Sequence, residues 1–98
     1  MENVKLFLDE EGNGRFYIMD GEDRAGEMQI NISGKALTVY HTEVLPKAEG
    51  KGLAKELLNA MVDYARKNGL QVIALCPYVH LQFTRHPERY ADIWDKAQ

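Results

Sequence analysis

Apolar residues alternate with polar ones through the first half of the chain, and from Leu53 they recur at every third or fourth position. Val4–Leu8 and Arg15–Met19 are rich in β-forming residues. They flank Asp9-Glu10-Glu11-Gly12-Asn13-Gly14, an acidic, turn-forming stretch. Asp20-Gly21-Glu22-Asp23 marks a second turn. Ala25–Ile32 then carries Met28, Ile30 and Ile32 at the two-residue spacing of a half-buried strand. Ser33-Gly34-Lys35 leads into Ala36–Leu45, with Leu37, Val39 and His41 expected on one face. Four strands on short links predict an antiparallel meander.

Leu53, Leu57, Leu58, Met61, Val62 and Ala65 then form a helical stripe, with Lys55, Glu56, Asp63, Arg66 and Lys67 on the opposite face. Gly69 supplies the stop just past Asn68. Leu70–Leu75 reads as a central strand covered on both faces, ended by Cys76-Pro77. A short helix is expected from Tyr78, a break at His86-Pro87, and a second helical tail around Tyr90–Ala97. The expected fold class is α+β: a four-strand antiparallel meander, a long helix, a fifth strand and short C-terminal helices.

With 98 residues the sequence predicts one domain over 1–98 and one modest core. Apolar residues at 45% and charged ones at 28% match a globular chain rather than a disordered one. A net charge of −3 argues against a general nucleic-acid binder. One cysteine allows no internal disulfide and fits a reducing compartment. Met1–Asp9 has an early acid and no long apolar core, so no secretory leader is expected. The longest apolar run, Val72–Cys76, is far short of the ~20 residues of a membrane helix. A cytoplasmic monomer with no membrane partner is the expectation. Charge is uneven, however: residues 1–49 carry five basic and ten acidic side chains, and residues 50–98 carry seven and five. An anionic ligand therefore sits better against the second half.

The informative junction is the strand Ala36–Leu45 followed by Pro46-Lys47-Ala48-Glu49-Gly50-Lys51-Gly52-Leu53-Ala54 and the helix. Two glycines one residue apart at a helix start let backbone N–H groups converge, and the helix dipole adds positive potential there. Lys47 and Lys51 add charge, and the chemistry suits a pyrophosphate. Leu53 follows Gly52 where a P-loop needs Lys and then Ser or Thr, and no third glycine completes a dinucleotide fingerprint. On spacing alone the same glycines equally serve a plain strand-to-helix turn.

Lys47-x-x-Gly50-x-Gly52-x-Ala54 resembles the acyl-CoA pyrophosphate loop of the GCN5-related N-acetyltransferases, with Lys47 in the place of the usual Arg or Gln. His41-Thr42-Glu43-Val44, Leu75-Cys76-Pro77-Tyr78-Val79 and Arg85-His86-Pro87-Glu88 are similar to signatures of a very small, YidJ-type branch. The resemblance covers about His41 to Tyr90. It implies a minimal fold of that family, in which the fourth and fifth strands splay apart to hold acetyl-CoA. The strand end His41–Leu45, with Thr42, Glu43 and Val44, would pair with pantetheine. Lys47, Gly50, Lys51, Gly52, Leu53 and Ala54 would hold the pyrophosphate, with Arg85 at the nucleotide end. A Lys at the first motif position meets a phosphate as a point charge without the guanidinium fork. The paired N-terminal helices that help wall the acceptor site in larger members are missing.

Two residues are candidates for chemistry. His41 would act as a base toward an amine attacking acetyl-CoA directly, its reference pKa lying near neutrality. Cys76 would alternatively accept the acetyl group as a thiolate. The plain alternatives are a small buried cysteine and a core histidine. Tyr78 is a further candidate proton donor, or core packing. No metal is expected, since no second Cys joins Cys76, His80 and His86. The expected function is acetyl transfer from acetyl-CoA to an unidentified amine. The alternative is a CoA-binding regulatory module with little or no catalysis.

Overall fold

Short polar turns between β-forming runs leave each strand no choice but to fold back on the one before it. The computed structural model describes residues 3–97; Met1 and Glu2, which open the stretch read for a leader, and Gln98 lie outside them. Strands β1 (Val4–Leu8), β2 (Asn13–Asp20), β3 (Asp23–Ser33) and β4 (Ala36–Val44) form the antiparallel meander. Helix α1 (Leu53–Asn68) crosses back over the sheet, and β5 (Gln71–Ala74) joins β4 in parallel. Two short helices follow, α2 (Pro77–Arg85) and α3 (Pro87–Tyr90). The sheet order is β1-β2-β3-β4-β5.

The alternation sorts the sheet into two unlike faces. Cross-strand partners share a face, so Phe16 opposite Met28, Ile30 opposite Val39, and Leu37 opposite Val72 form one apolar surface. The buried stripe of α1, Leu57, Leu58, Met61, Val62 and Ala65, joins these residues in one core. We call this the inner face. The other, outer face carries Lys5, Phe7, Arg15, Tyr17, Glu27 and Gln29, and among them Phe7 is 49% exposed.

Two expectations change. β5 is not central; it is the edge strand of the sheet. Its apolar run is nonetheless covered, because the chain after α3 lies along its free edge. Val72 donates to the Ile93 carbonyl at 2.6 Å and accepts from the Asp95 amide at 2.9 Å. This also explains why the tail is not helical to Ala97. Helix α3 stops at Tyr90, and the residues beyond satisfy the backbone groups of the edge strand instead. Arg66 ties the tail to α1 through the Asp92 carboxylate at 2.8 Å and the Arg89 carbonyl at 2.7 Å.

An aromatic cluster anchors this corner. Phe83, fully buried on α2, stacks on Tyr90 at 4.6 Å between ring centroids and meets Trp94 edge-on at 5.6 Å. Because both partners belong to the C-terminal segment, Phe83→Ala is expected to cost about 3–5 kcal/mol in urea unfolding. The loss should be accompanied by a blue-to-red shift in Trp94 fluorescence as the tail leaves β5.

Candidate functional site

Parallel pairing of β4 with β5 ends early. The last paired residues are Val39 and Ala74, and the Val39 carbonyl accepts from both the Leu75 amide at 3.1 Å and the Cys76 amide at 2.8 Å. Pro77 then starts α2, while β4 continues to Val44. The two chains diverge and leave a gap along the last residues of β4. The Leu45 amide donates across to Ala25 on β3 at 2.9 Å. By alternation, the amides and carbonyls of Thr42 and Val44 turn the other way, toward the gap.

The same stretch holds a bulge. Gln29 pairs with His41 and Ile30 with Val39, so Tyr40 is the extra residue on β4. One inserted residue reverses the parity of everything after it. Leu37 and Val39 face inward as expected, but His41 does not follow them. It lies exposed on the outer face beside Gln29, and Thr42 takes the inward position opposite Met28. The Thr42 hydroxyl stands 3.3 Å from the Cys76 sulfur, and Cys76 is buried. The structure thus joins Cys76 to Thr42 and sets His41 on the opposite side of the sheet. No signal in a period-2 pattern announces such an insertion. Tyr78, half-buried at the start of α2, has its phenol pKa pushed up by burial and by the neighbouring Tyr90 and Cys76, so it is protonated at neutral pH.

Beyond β4 a 3₁₀ turn, Pro46–Ala48, leads into the glycine loop. Gly50 and Gly52 both lie in the left-handed region, at φ 87° and 75°. A Cβ at either would meet nothing within 4 Å, so packing does not require glycine there; the backbone conformation does. Gly52 caps α1 with no side-chain hydrogen bond, leaving the first amides of a 16-residue helix uncapped. A cavity of about 250 Å³ sits at this point, lined by Val44, Ala48, Glu49, Gly50, Gly52, Leu53 and Ala54. It is continuous with the end of β4 through Val44. Glu43 is exposed on the outer face, Lys51 is exposed on the loop, and Arg85 is exposed at the last turn of α2. No hydrogen bond or ion pair among the described residues joins Arg85 to the loop. Lys47 reaches away to the Asp23 carboxylate at 2.6 Å. Among the described residues no group of three or more His, Cys, Asp or Glu is arranged to hold a metal ion, and no helix is long and apolar enough to cross a membrane.

A strand pair that splays beside a glycine loop at a helix start is the arrangement the sequence resemblance implied. The family model described as GCN5-related N-acetyl-transferase matches residues 15–93. The chain belongs to the GCN5-related N-acetyltransferase family. The match establishes that family and not a particular branch of it. Among solved structures, the chain is similar to a GCN5-like putative N-acetyltransferase from Staphylococcus aureus, at 30% identity and TM-score 0.67, over 96% of this chain and 90% of that one. It is also similar to nourseothricin acetyltransferase, at 30% identity and TM-score 0.55, covering 71% of this chain and 44% of that one. The ribosomal-protein-S18-alanine N-acetyltransferase of Escherichia coli shares the fold at 17% identity and TM-score 0.61, over 74% and 54% of the two chains. The chain therefore spans about half the length of these last two. No curated protein matches it.

The Lys47–Asp23 pair bears on the loop directly. Lys47 holds the Asp23 carboxyl below its usual range through a hydrogen bond and its charge. The bridge is therefore intact above about pH 3.8 and is lost as pH falls through the lowered folded value. At neutral pH an acid competes with any phosphate for Lys47. If the loop takes the CoA pyrophosphate, Asp23→Asn tightens that binding by about two- to fivefold in titration calorimetry, the scale of an exposed pair. Adding Lys47→Ala should erase that gain.

Proposed function

We propose that this chain binds acetyl-CoA along the gap between β4 and β5 and transfers the acetyl group to an amine arriving from the outer face. The observation that carries this reading is the early end of β4–β5 pairing, with β4 running on from Val39 to Val44 and into the glycine-loop cavity. Backbone groups of Thr42 and Val44 turned to the gap suit the amides of pantetheine, a β-strand-like partner. Gly50, Gly52 and the uncapped amides of Leu53 and Ala54 suit the pyrophosphate, with Lys51 and Lys47 supplying charge. Glu43 stands beside the same strand end on the outer face, and Arg85 remains the candidate for the nucleotide end.

The two faces suit a division of the chemistry. The acceptor amine attacks the thioester carbonyl, a C–N bond forms, the C–S bond breaks and the CoA thiolate leaves. His41, exposed on the outer face, takes the amine proton, and Tyr78, held protonated, is placed by sequence next to Cys76 to return one to the thiolate. A second reading is favoured by the Thr42–Cys76 contact: the thioester acylates Cys76 first, releasing CoA, and the amine then displaces the thiol.

Calorimetry with acetyl-CoA tests the binding site. Wild-type protein is expected to bind. Gly52→Ala should fold with about 1–2 kcal/mol less stability, the cost of a left-handed alanine, and bind at least about tenfold more weakly. No binding to wild-type protein refutes the reading. Intact mass after incubation separates the routes, since an acetyl adduct lost in Cys76→Ala marks the covalent path. CoA release that depends on an amine and survives Cys76→Ala marks direct attack. Binding without release on any amine marks a CoA-binding module.

A further inference from the structure

The two edges of the sheet are finished differently. The free side of β5 is covered by the chain after α3, through Ile93 and Asp95 on Val72. At the other edge β1 pairs with β2 alone, and among the described residues nothing hydrogen-bonds to its free side. The Asp9 amide donates to the Asn13 carbonyl at 2.8 Å, and a Cβ on Gly14 would collide with the Phe7 carbonyl oxygen. Phe7 and Asp9 thus turn their backbone groups toward β2. By alternation Val4, Leu6 and Leu8 turn theirs outward, as a row of open donors and acceptors.

The side chains of this edge alternate as cleanly. Val4, Leu6 and Leu8 are half-buried and pack against the core, while Lys5 and Phe7 stand exposed on the outer face. Edge strands commonly avoid pairing through a proline, a bulge or a charge aimed inward. β1 has none of these, and its register with β2 is unbroken. Its one charge, Lys5, blocks a second strand only where it meets another cation.

We infer that β1 pairs with β1 of a second copy, antiparallel about a two-fold axis at Leu6, joining two sheets into one. In that register Val4 meets Leu8 of the second copy, Leu6 meets its counterpart, and every outward backbone group finds a partner. Lys5 falls opposite Phe7 of the second copy in a non-hydrogen-bonded pair, the closer kind, with its ammonium against the ring. An axis at Lys5 would set two ammonium groups against each other and leave Leu8 unpaired. An axis at Phe7 would leave Val4 unpaired. Arg15 meets the Phe7 ring from the β2 side at 5.7 Å and is balanced by Glu27, which leaves the edge side of the ring to Lys5. β1 lies at the opposite edge of the sheet from the β4–β5 gap, so both gaps stay open. The pairing is independent of the acetyl-transfer reading.

Sedimentation equilibrium from about 5 to about 500 μM tests this, because a paired strip about 17 Å long is below standard interface size and implies a dissociation constant on the order of 50 μM. The monomer expected from the sequence is then the dilute form. Phe7→Lys sets Lys against Lys5 in both symmetric pairs and should weaken the dimer at least about tenfold. Its unfolding midpoint should stay near wild type, since Phe7 is 49% exposed. Lys5→Glu added to Phe7→Lys puts opposite charges across the axis and should bring the constant back to within about threefold of wild type. Amide exchange at Leu6 and Leu8 should slow with rising concentration in wild type and in the double variant, and not in Phe7→Lys. A wild-type chain that stays monomeric to the highest concentration overturns the inference. So does a dimer that Phe7→Lys leaves intact, one that the double variant fails to restore, or one that forms without slowing exchange at Leu6.

Discussion

One carbonyl organises this molecule. The Val39 oxygen accepts from two successive amides, those of Leu75 and Cys76, and so ends the parallel pairing of β4 with β5. A parallel ladder would normally pass each carbonyl to one partner and continue. Here the doubled acceptance lets the chain turn at Pro77 into α2, while β4 proceeds alone. The gap, the free backbone edge at Thr42 and Val44, and the approach to the glycine loop all follow from that local arrangement.

The bulge at Tyr40 gives the gap its two sides. Without the extra residue, His41 would sit over α1 and Thr42 would face outward. With it, a hydroxyl and a thiol meet inside, and an imidazole stands outside. A buried sulfur and an exposed imidazole on opposite faces of a strand separation suit the proposed reaction, whose donor lies between the strands and whose acceptor arrives from one side. The outer face is open because β1 passes to β2 through a tight turn, Asp9–Gly12, instead of intervening helices.

The edge of the sheet shows how a short chain protects itself. β5 is four residues long and is the last strand of the sheet, a position prone to pairing with other molecules. Ile93 and Asp95 satisfy Val72, and the Phe83–Tyr90–Trp94 cluster holds them there. This is why a β-branched, apolar strand reads as central in sequence although it is the last strand of the sheet. Local composition reports how much a residue is covered, and here a tail does the covering that a sixth strand would do.

Much of the fold was legible from spacing. Alternation at Met28, Ile30 and Ile32 and the stripe from Leu53 to Ala65 depend only on which faces meet water, and local periodicity records that. The glycine loop was equally legible, because a left-handed backbone at Gly50 and Gly52 excludes other residues at that spot. The sequence by itself thus determined the strands and the long helix, their order and the place of the proposed phosphate site. Only the tertiary structure decided which side chains meet: Thr42 rather than His41 against Cys76, Lys47 against Asp23, and Arg15 shielded beside Phe7. Strand register, a bulge and a covered edge are set by pairing between segments far apart in the chain, and no local pattern carries that information.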